Sequence, residues 1–322
     1  MKEGAFAVRR WEDLDTDILV KIFMSFDVFQ LTLGIAHICN SWRSACCDPL
    51  LWKTLDLLML RSNFIKIPLE PYVYMDEYSD KTLTSLLKIS LSLSRGYIRT
   101  LIFYFNLYVG DEQFTYIAES NPPYTIVCKC PQLRRLVMLA WNRIRKDVIC
   151  KAIHTWRCLE SLTMPSIVNP PYLIEEIALN CKNFSELKVM GPFDVPYAST
   201  IAKFLPNLKI LSLRCLVIVK DALMLILDDL PNLEVFNISH CLLIKKLDKI
   251  ILQKDARLRE FLTCTEHLCI MCQRTQSDEG ILRWYKYGEG LWKIDEASFI
   301  VCCRFGFVKF ISDEKRCHLK CY

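Results

Sequence analysis

The sequence predicts an α/β protein in two parts, a three-helix module at the N-terminus and then a repeat solenoid with parallel strands on the concave face and helices on the convex face. Three observations lead there: helical apolar spacing within residues 8–55, a leucine pattern that recurs from Leu133 to Leu258, and a composition poor in glycine. Over 322 residues, 52% hydrophobic and 24% charged side chains suit an ordered chain of about two domains. Nine glycines leave little material for a phosphate-cradling loop. The net charge of +5 comes from scattered lysines and arginines, with no basic block of the kind that marks a nucleic-acid or membrane footprint. The stretch from Phe299 to Ile311 is interrupted by Arg304 and Lys309, so no membrane span is expected. The first ten residues carry no apolar signal core, and the 17 cysteines are therefore expected to be reduced, buried thiols in a cytoplasmic and/or nuclear protein.

The N-terminal module follows from spacing. Leu14, Ile18, Leu19, Ile22, Phe23 and Phe26 fall on one helical face, with Asp15 or Thr16 placed to cap and Asp17 suited to the positive first turn. Apolar runs from Val28 to Ile38 and from Cys39 to Cys46 give two further short helices. So small a unit needs a neighbour to complete its core.

The solenoid follows from period. Leu-x-x-Leu-x-Leu or a close variant occurs at Leu133/Leu136/Met138, Leu159/Leu162/Met164, Phe184/Leu187/Val189, Leu208/Leu211/Leu213 and Leu233/Phe236/Ile238, with a degenerate copy at Leu258/Phe261. The first positions are 26, 25, 24, 25 and 25 residues apart. Alternating apolar positions make a short strand with one face inward. The stretches Ile174 to Asn180 and Asp221 to Leu230 read as the helices that close the same core from the other side. One such unit cannot bury its apolar face alone, so the repeats must stack. Ile98/Leu101/Phe103 and Trp52/Leu55/Leu57 fit as two earlier copies at irregular intervals, with insertions expected near 66–80 and 106–130. The solenoid is thus assigned to 56–265, a C-terminal cap to 266–296, and an irregular or disordered tail to 297–322.

Catalytic signatures are missing from the sequence: no nucleophile, base and orienting group stand in a known pattern. The five histidines are dispersed, and the acidic pairs Glu175-Glu176, Asp228-Asp229 and Asp278-Glu279 read as solvated charges. Cys264, His267, Cys269 and Cys272 are zinc-type residues, but all lie within nine positions and no second half-site accompanies them, so no metal and no cofactor is assigned. Cys215 and Cys241 read as core-filling thiols in the repeat turns.

Leu14, Asp17-Ile18-Leu19, Ile22-Phe23, Leu31, Cys39-x-x-Trp42-Arg43 and Asp48-Pro49-Leu50-Leu51-Trp52, in that order, resemble the F-box. With the repeats, and Trp284-Tyr-Lys-Tyr287 after them, the chain is similar to the plant F-box/leucine-rich-repeat proteins. The resemblance implies a non-catalytic substrate-recognition subunit of a Skp–cullin–F-box ubiquitin ligase, an α/β protein with an F-box followed by a leucine-rich-repeat solenoid. Its implied partners are a Skp-type adaptor, through it cullin and a RING subunit, and a target protein. Leu14, Ile18, Leu19, Ile22, Phe23, Leu31, Cys39 and Trp42 are then docking or core residues, two roles the sequence does not separate. Asp15 stands where the family has proline, a departure expected to weaken adaptor binding without abolishing it. The target is expected on the concave face, at the outward strand positions Arg135, Val137, Ser161, Thr163, Glu186, Lys188, Ile210, Ser212, Arg214, Val235, Asn237 and Ser239. The alternative is a repeat scaffold that binds protein without a ligase.

Overall fold

The computed structural model describes residues 11, 14–57, 77–103, 109–118, 129–138, 144–165, 171–190, 193–214, 217–239, 241–243, 257–264 and 307–311. The chain opens with α1 (Thr16–Phe23), a π-type turn at Gln30–Gly34 running into a 3-10 turn at Ile35–His37, α2 (Asn40–Ala45) and a second 3-10 turn at Pro49–Trp52. Strands and helices then alternate: β1 (Thr54–Asp56), α3 (Glu77–Ser94), β2 (Thr100–Ile102), α4 (Asp111–Ala118), β3 (Arg135–Val137), α5 (Lys146–Thr155), β4 (Ser161–Pro165), α6 (Pro171–Asn180), β5 (Glu186–Met190), α7 (Val195–Phe204), β6 (Ile210–Arg214), β7 (Val217–Ile218), α8 (Lys220–Asp229), β8 (Val235–Asn237), β9 (Leu242–Leu243), β10 (Glu260–Cys264) and β11 (Phe307–Ile311).

The main sheet runs β1-β2-β3-β4-β5-β6-β8-β10-β11 among the described residues, parallel up to β10, while β7 pairs with β9 in a ladder of its own. The middle apolar position of each repeat is in register with the next: Leu55, Leu101, Leu136, Leu162, Leu187, Leu211, Phe236 and Phe261 form one row, each buried. The register comes from a backbone device repeated in each turn. The amides of Leu133, Leu159, Phe184, Leu208 and Leu233 donate to the carbonyls of Cys130, Trp156, Cys181, Leu205 and Leu230 at 3.0–3.3 Å, folding helix end into strand start. One carbonyl per strand then accepts two successive amides of the next, as Glu160 O does from Ser185 and Glu186. Arg134–Glu160 at 3.1 Å and the Lys209–Glu234–Arg259 chain at 3.3 and 3.0 Å line the same edge. Exposed pairs of this kind contribute at most about 1 kcal/mol each.

Two segments differ from the sequence reading. The stretch 106–130 includes α4, whose Phe114, Ile117 and Ala118 are buried and whose Phe114 ring meets Trp156 edge-on at 5.4 Å. That repeat therefore keeps a convex helix, and Asp111 at its start accepts from the Arg145 backbone amide (2.7 Å) and Nε (2.6 Å) ahead of α5. The second difference is β11, in the stretch expected to be irregular. It pairs antiparallel with β10 from Glu260↔Ile311 to Cys264↔Phe307, covering the edge that the last parallel strand would otherwise expose. The expected cap at 266–296 lies outside the described residues, as do His267, Cys269 and Cys272.

No linker separates the two parts. Trp52 is fully buried, its indole Nε1 donates to Cys46 O at 2.6 Å, and Leu55 and Leu57 follow directly as the first solenoid core residues. One continuous apolar core runs from Leu19 to Phe261. No described helix is long and apolar enough to cross a membrane.

Candidate functional site: an apolar N-terminal surface and a polar concave row

The N-terminal surface is built from α1 outward. Asp15 caps that helix through Oδ1, which accepts from the Asp17 amide at 2.8 Å, and its backbone lies at φ −56°, ψ 140°. Proline would impose nearly the same φ. The carboxylate thus sets by a hydrogen bond the chain direction that a ring would set covalently. Leu19, Val20 and Phe23 point into the core, where the Phe23 ring meets Trp42 edge-on at 5.4 Å. Trp42 Nε1 donates to Trp11 O at 3.3 Å, and Cys39 Sγ caps α2 by accepting from the Trp42 amide at 3.5 Å. Between the helices Thr32 Oγ1 donates to Val28 O at 2.6 Å and braces the π-type turn.

The structure separates these residues by exposure. Leu19, Phe23 and Leu31 are core; Leu14, Cys39 and Trp42 are half-buried; Ile18 and Ile22, one turn apart on α1, are 48% and 38% exposed. Sequence reasoning missed Trp11, Met24, Phe26, Leu33, Ile38 and Leu50, which are exposed on the same module. Beyond it, the large exposed hydrophobics among the described residues are Tyr97, Leu179 and Val195. Eight in so short a segment against three in the rest of the described chain concentrate the exposed large apolar side chains on this module. The available signal was an excess of apolar residues: Met24 lies off the apolar face read for the first helix.

The concave face has the opposite character. In register across β4, β5, β6 and β8, Thr163, Lys188, Ser212 and Asn237 form a polar row in which every member is buried. Val137, Ser161, Val235 and Ser239 on the same face are buried too, while Arg135, Glu186 and Ile210 are half-buried. Arg214 belongs to this face by register, and its side chain lies outside the described residues. These positions were expected to point outward on the face that meets a target; strands about 4.8 Å apart pack their small side chains against larger lateral neighbours.

Beside this row, two residues earlier on β5, Glu186 Oε1 lies 3.2 Å from Lys188 Nζ and 3.7 Å from the Arg135 guanidinium. Burial pushes the Glu186 carboxyl up, but Lys188, then the nearby Ser161 hydroxyl, then Arg135 outweigh it and hold the group below its ordinary value of 4.5. The Glu186 carboxyl is therefore ionised at neutral pH. The Ser161 hydroxyl is close to the carboxylate but outside hydrogen-bond geometry, and the buried hydroxyls of Ser212, Ser239 and Thr263 have no partner among the described residues.

The buried thiols behave as core atoms. Burial, then Cys158, pushes Cys181 up to about 12, and its Sγ donates to Trp156 O at 3.5 Å. Burial, then Cys47, raises Cys46 to about 11. Cys241 Sγ donates to Leu213 O at 3.0 Å, tying one repeat turn to the strand before it. Among the described residues no three His, Cys, Asp or Glu side chains gather as metal ligands.

Comparison with known proteins gives the family of the chain. Residues 11–58 match the F-box-like family model. An F-box/LRR-repeat protein of Arabidopsis thaliana is 59% identical over 305 residues, covering 90% of this chain and 96% of that protein. A second Arabidopsis relative, named as an F-box protein, is 26% identical over 309 residues, covering 83% of this chain and 90% of its own length.

Proposed function

This chain belongs to the plant F-box/leucine-rich-repeat family, and from that premise we propose that it is a substrate receptor of a Skp–cullin–F-box ubiquitin ligase. Proteins of the family are in general non-catalytic adaptors, and an F-box implies a Skp-type adaptor as partner. The finer reading assigns the two surfaces: the adaptor docks on the exposed apolar residues of the N-terminal module, and the target docks on the concave face. The observation that carries it is the concentration of exposed Ile18, Ile22, Met24, Phe26, Leu33, Ile38 and Leu50 on the F-box segment. Large apolar side chains held in water are costly unless a partner covers them, and burying one fully is worth about 1.5–3 kcal/mol. Through the adaptor the module reaches cullin and RING subunits, and catalysis is by proximity, which raises the effective concentration of target lysines near the transferring enzyme. The continuous core between module and solenoid would hold the target at a fixed orientation to the ligase. The setting is cytoplasmic and/or nuclear.

Co-expression with a plant Skp-type adaptor tests this. The wild-type chain is expected to co-purify with the adaptor, and Ile18→Asp/Ile22→Asp to lose it by about 100-fold or more while keeping its unfolding temperature, because both side chains already face solvent. A soluble wild-type chain that never co-purifies would leave the protein as a ligase-independent binding scaffold.

A further inference from the structure

The concave row offers more hydrogen-bond donors than acceptors, and this points to the chemistry of what it holds. Lys188 is the centre of the case. Its side chain is 10% exposed, an ammonium has three N–H groups, and Glu186 is its partner within the chain. A buried ammonium with one acceptor is incompletely solvated, which is costly in a low-dielectric site. Its register neighbour on β6 is Ser212, 3% exposed, with a hydroxyl that has no partner among the described residues. Ser239, farther along the face on the segment after β8, is fully buried, and its hydroxyl too has no partner among the described residues. Unsatisfied buried polar atoms are uncommon in folded proteins, and a group of them on one face calls for an explanation. The face opens on one side: exposure rises from Lys188 (10%) through Glu186 (18%) to Arg135 (25%).

We propose that the Lys188–Ser212 pair is an oxyanion-accepting floor, reached over Glu186 and Arg135, that seats one carboxylate of an acidic residue in an extended target segment. This deepens the reading of the concave face as the target site and rests on it. A carboxylate completes the ammonium and accepts from the Ser212 hydroxyl as a charge-assisted bond. Glu186, held ionised beside the floor, selects for a single negative charge and against a phosphate dianion, which it would repel. The row from Thr163 to Asn237 crosses four strands, about 14 Å at about 4.8 Å per strand, the reach of about four extended residues. The recognised segment is therefore short and acidic at one fixed position.

The test uses the full chain co-expressed with the adaptor, incubated with hexapeptide mixtures in which one position is fixed in turn as Glu, Gln, phosphoserine or Lys. The expected result is enrichment of about tenfold for Glu over Gln at one position, with phosphoserine below Glu. Lys188→Met is expected to abolish that preference and Ser212→Ala to reduce it several-fold, while Lys182→Met, on an exposed lysine beyond α6, leaves it unchanged. Thermal unfolding of each variant separates loss of binding from loss of fold. The proposal is overturned by no acidic preference in the wild type, by preference for phosphoserine, or by full preference in a folded Lys188→Met. Adaptor co-purification is read in the same preparation. Acid selection without adaptor sinks the ligase reading alone, and adaptor without acid selection sinks this inference alone.

Discussion

The N-terminal module and the concave face both invert the usual rule of apolar inside and polar outside, in opposite senses. The module holds Ile18, Met24, Leu33 and Ile38 in water, whereas the concave face hides Lys188, Ser212, Asn237 and Ser239. Both arrangements cost stability in the isolated chain. The apolar surface can be relieved by any partner of matching shape, with little dependence on orientation. The polar row is relieved only by acceptors placed at defined points. The first suits a standing assembly contact and the second a contact that discriminates among candidates.

The two regions share one core, and the largest expected effect comes from breaking it at their junction. Trp52 is fully buried and bonded through Nε1 to Cys46 O. Trp52→Ala is expected to destabilise by about 3–5 kcal/mol, with adaptor binding and target binding lost together in one urea transition. Two separate transitions, with only one partner lost, would show that module and solenoid fold independently.

Adjacent residues of α1 sharpen the contrast between covering a partner and filling a core. Leu19→Ala is expected to cost about 2–4 kcal/mol of stability, since the side chain is 1% exposed. Ile18→Ala, one residue earlier and 48% exposed, is expected to stay within about 0.5 kcal/mol. Denaturant midpoints for the pair measure the difference; equal losses would mean that Ile18 is buried in the free chain and that the docking surface is misplaced.

This pair also shows where the sequence stopped being informative. Ile18, Leu19, Ile22 and Phe23 are all apolar and fall within one broad helical stripe, so periodicity alone cannot tell which pair fills the core and which meets water. The strand register was legible because each repeat restates it: Leu136, Leu162, Leu187 and Leu211 align as their spacing requires. Concave burial was not legible, because the exposure of Ser212 depends on side chains about 25 residues away on either side, Lys188 and Asn237, that lie about 4.8 Å off only after stacking. Helix α4 was missed because Asp111, Glu112 and Gln113 dilute its apolar signal next to a Pro-Pro step at 122. For β11, the partner strand β10 is remote in sequence, and no local pattern announces such a pairing.

The charged centre of the concave face gives a smaller, pH-dependent effect. Glu186 has its carboxyl held below 4.5 by Lys188, Ser161 and Arg135 against the opposing pull of burial. A depressed carboxyl contributes stability above its unfolded value and loses it as pH falls towards the folded one. Glu186→Gln is therefore expected to be less stable than wild type by about 1 kcal/mol at neutral pH, and that gap should narrow steadily below pH 4.5. Urea midpoints from pH 7 to pH 3 measure it. A gap that is constant with pH would mean that the carboxylate is not paired with Lys188 in solution.

The smallest effect tests the family departure at position 15. Asp15→Pro removes the Oδ1 cap on the Asp17 amide, a loss of about 1 kcal/mol. The ring in turn fits the observed φ of −56° and narrows the unfolded ensemble, a gain of about 0.4–1 kcal/mol. The two terms nearly cancel, so the unfolding temperature is expected to move by no more than a few degrees and the adaptor to co-purify at least as well as with wild type. A loss above about 2 kcal/mol would show that Asp15 holds more than its own turn. A near-zero change would mean that the carboxylate and the family's proline are two solutions to one requirement: a fixed, extended approach into α1 that leaves Ile18 and Ile22 facing outward.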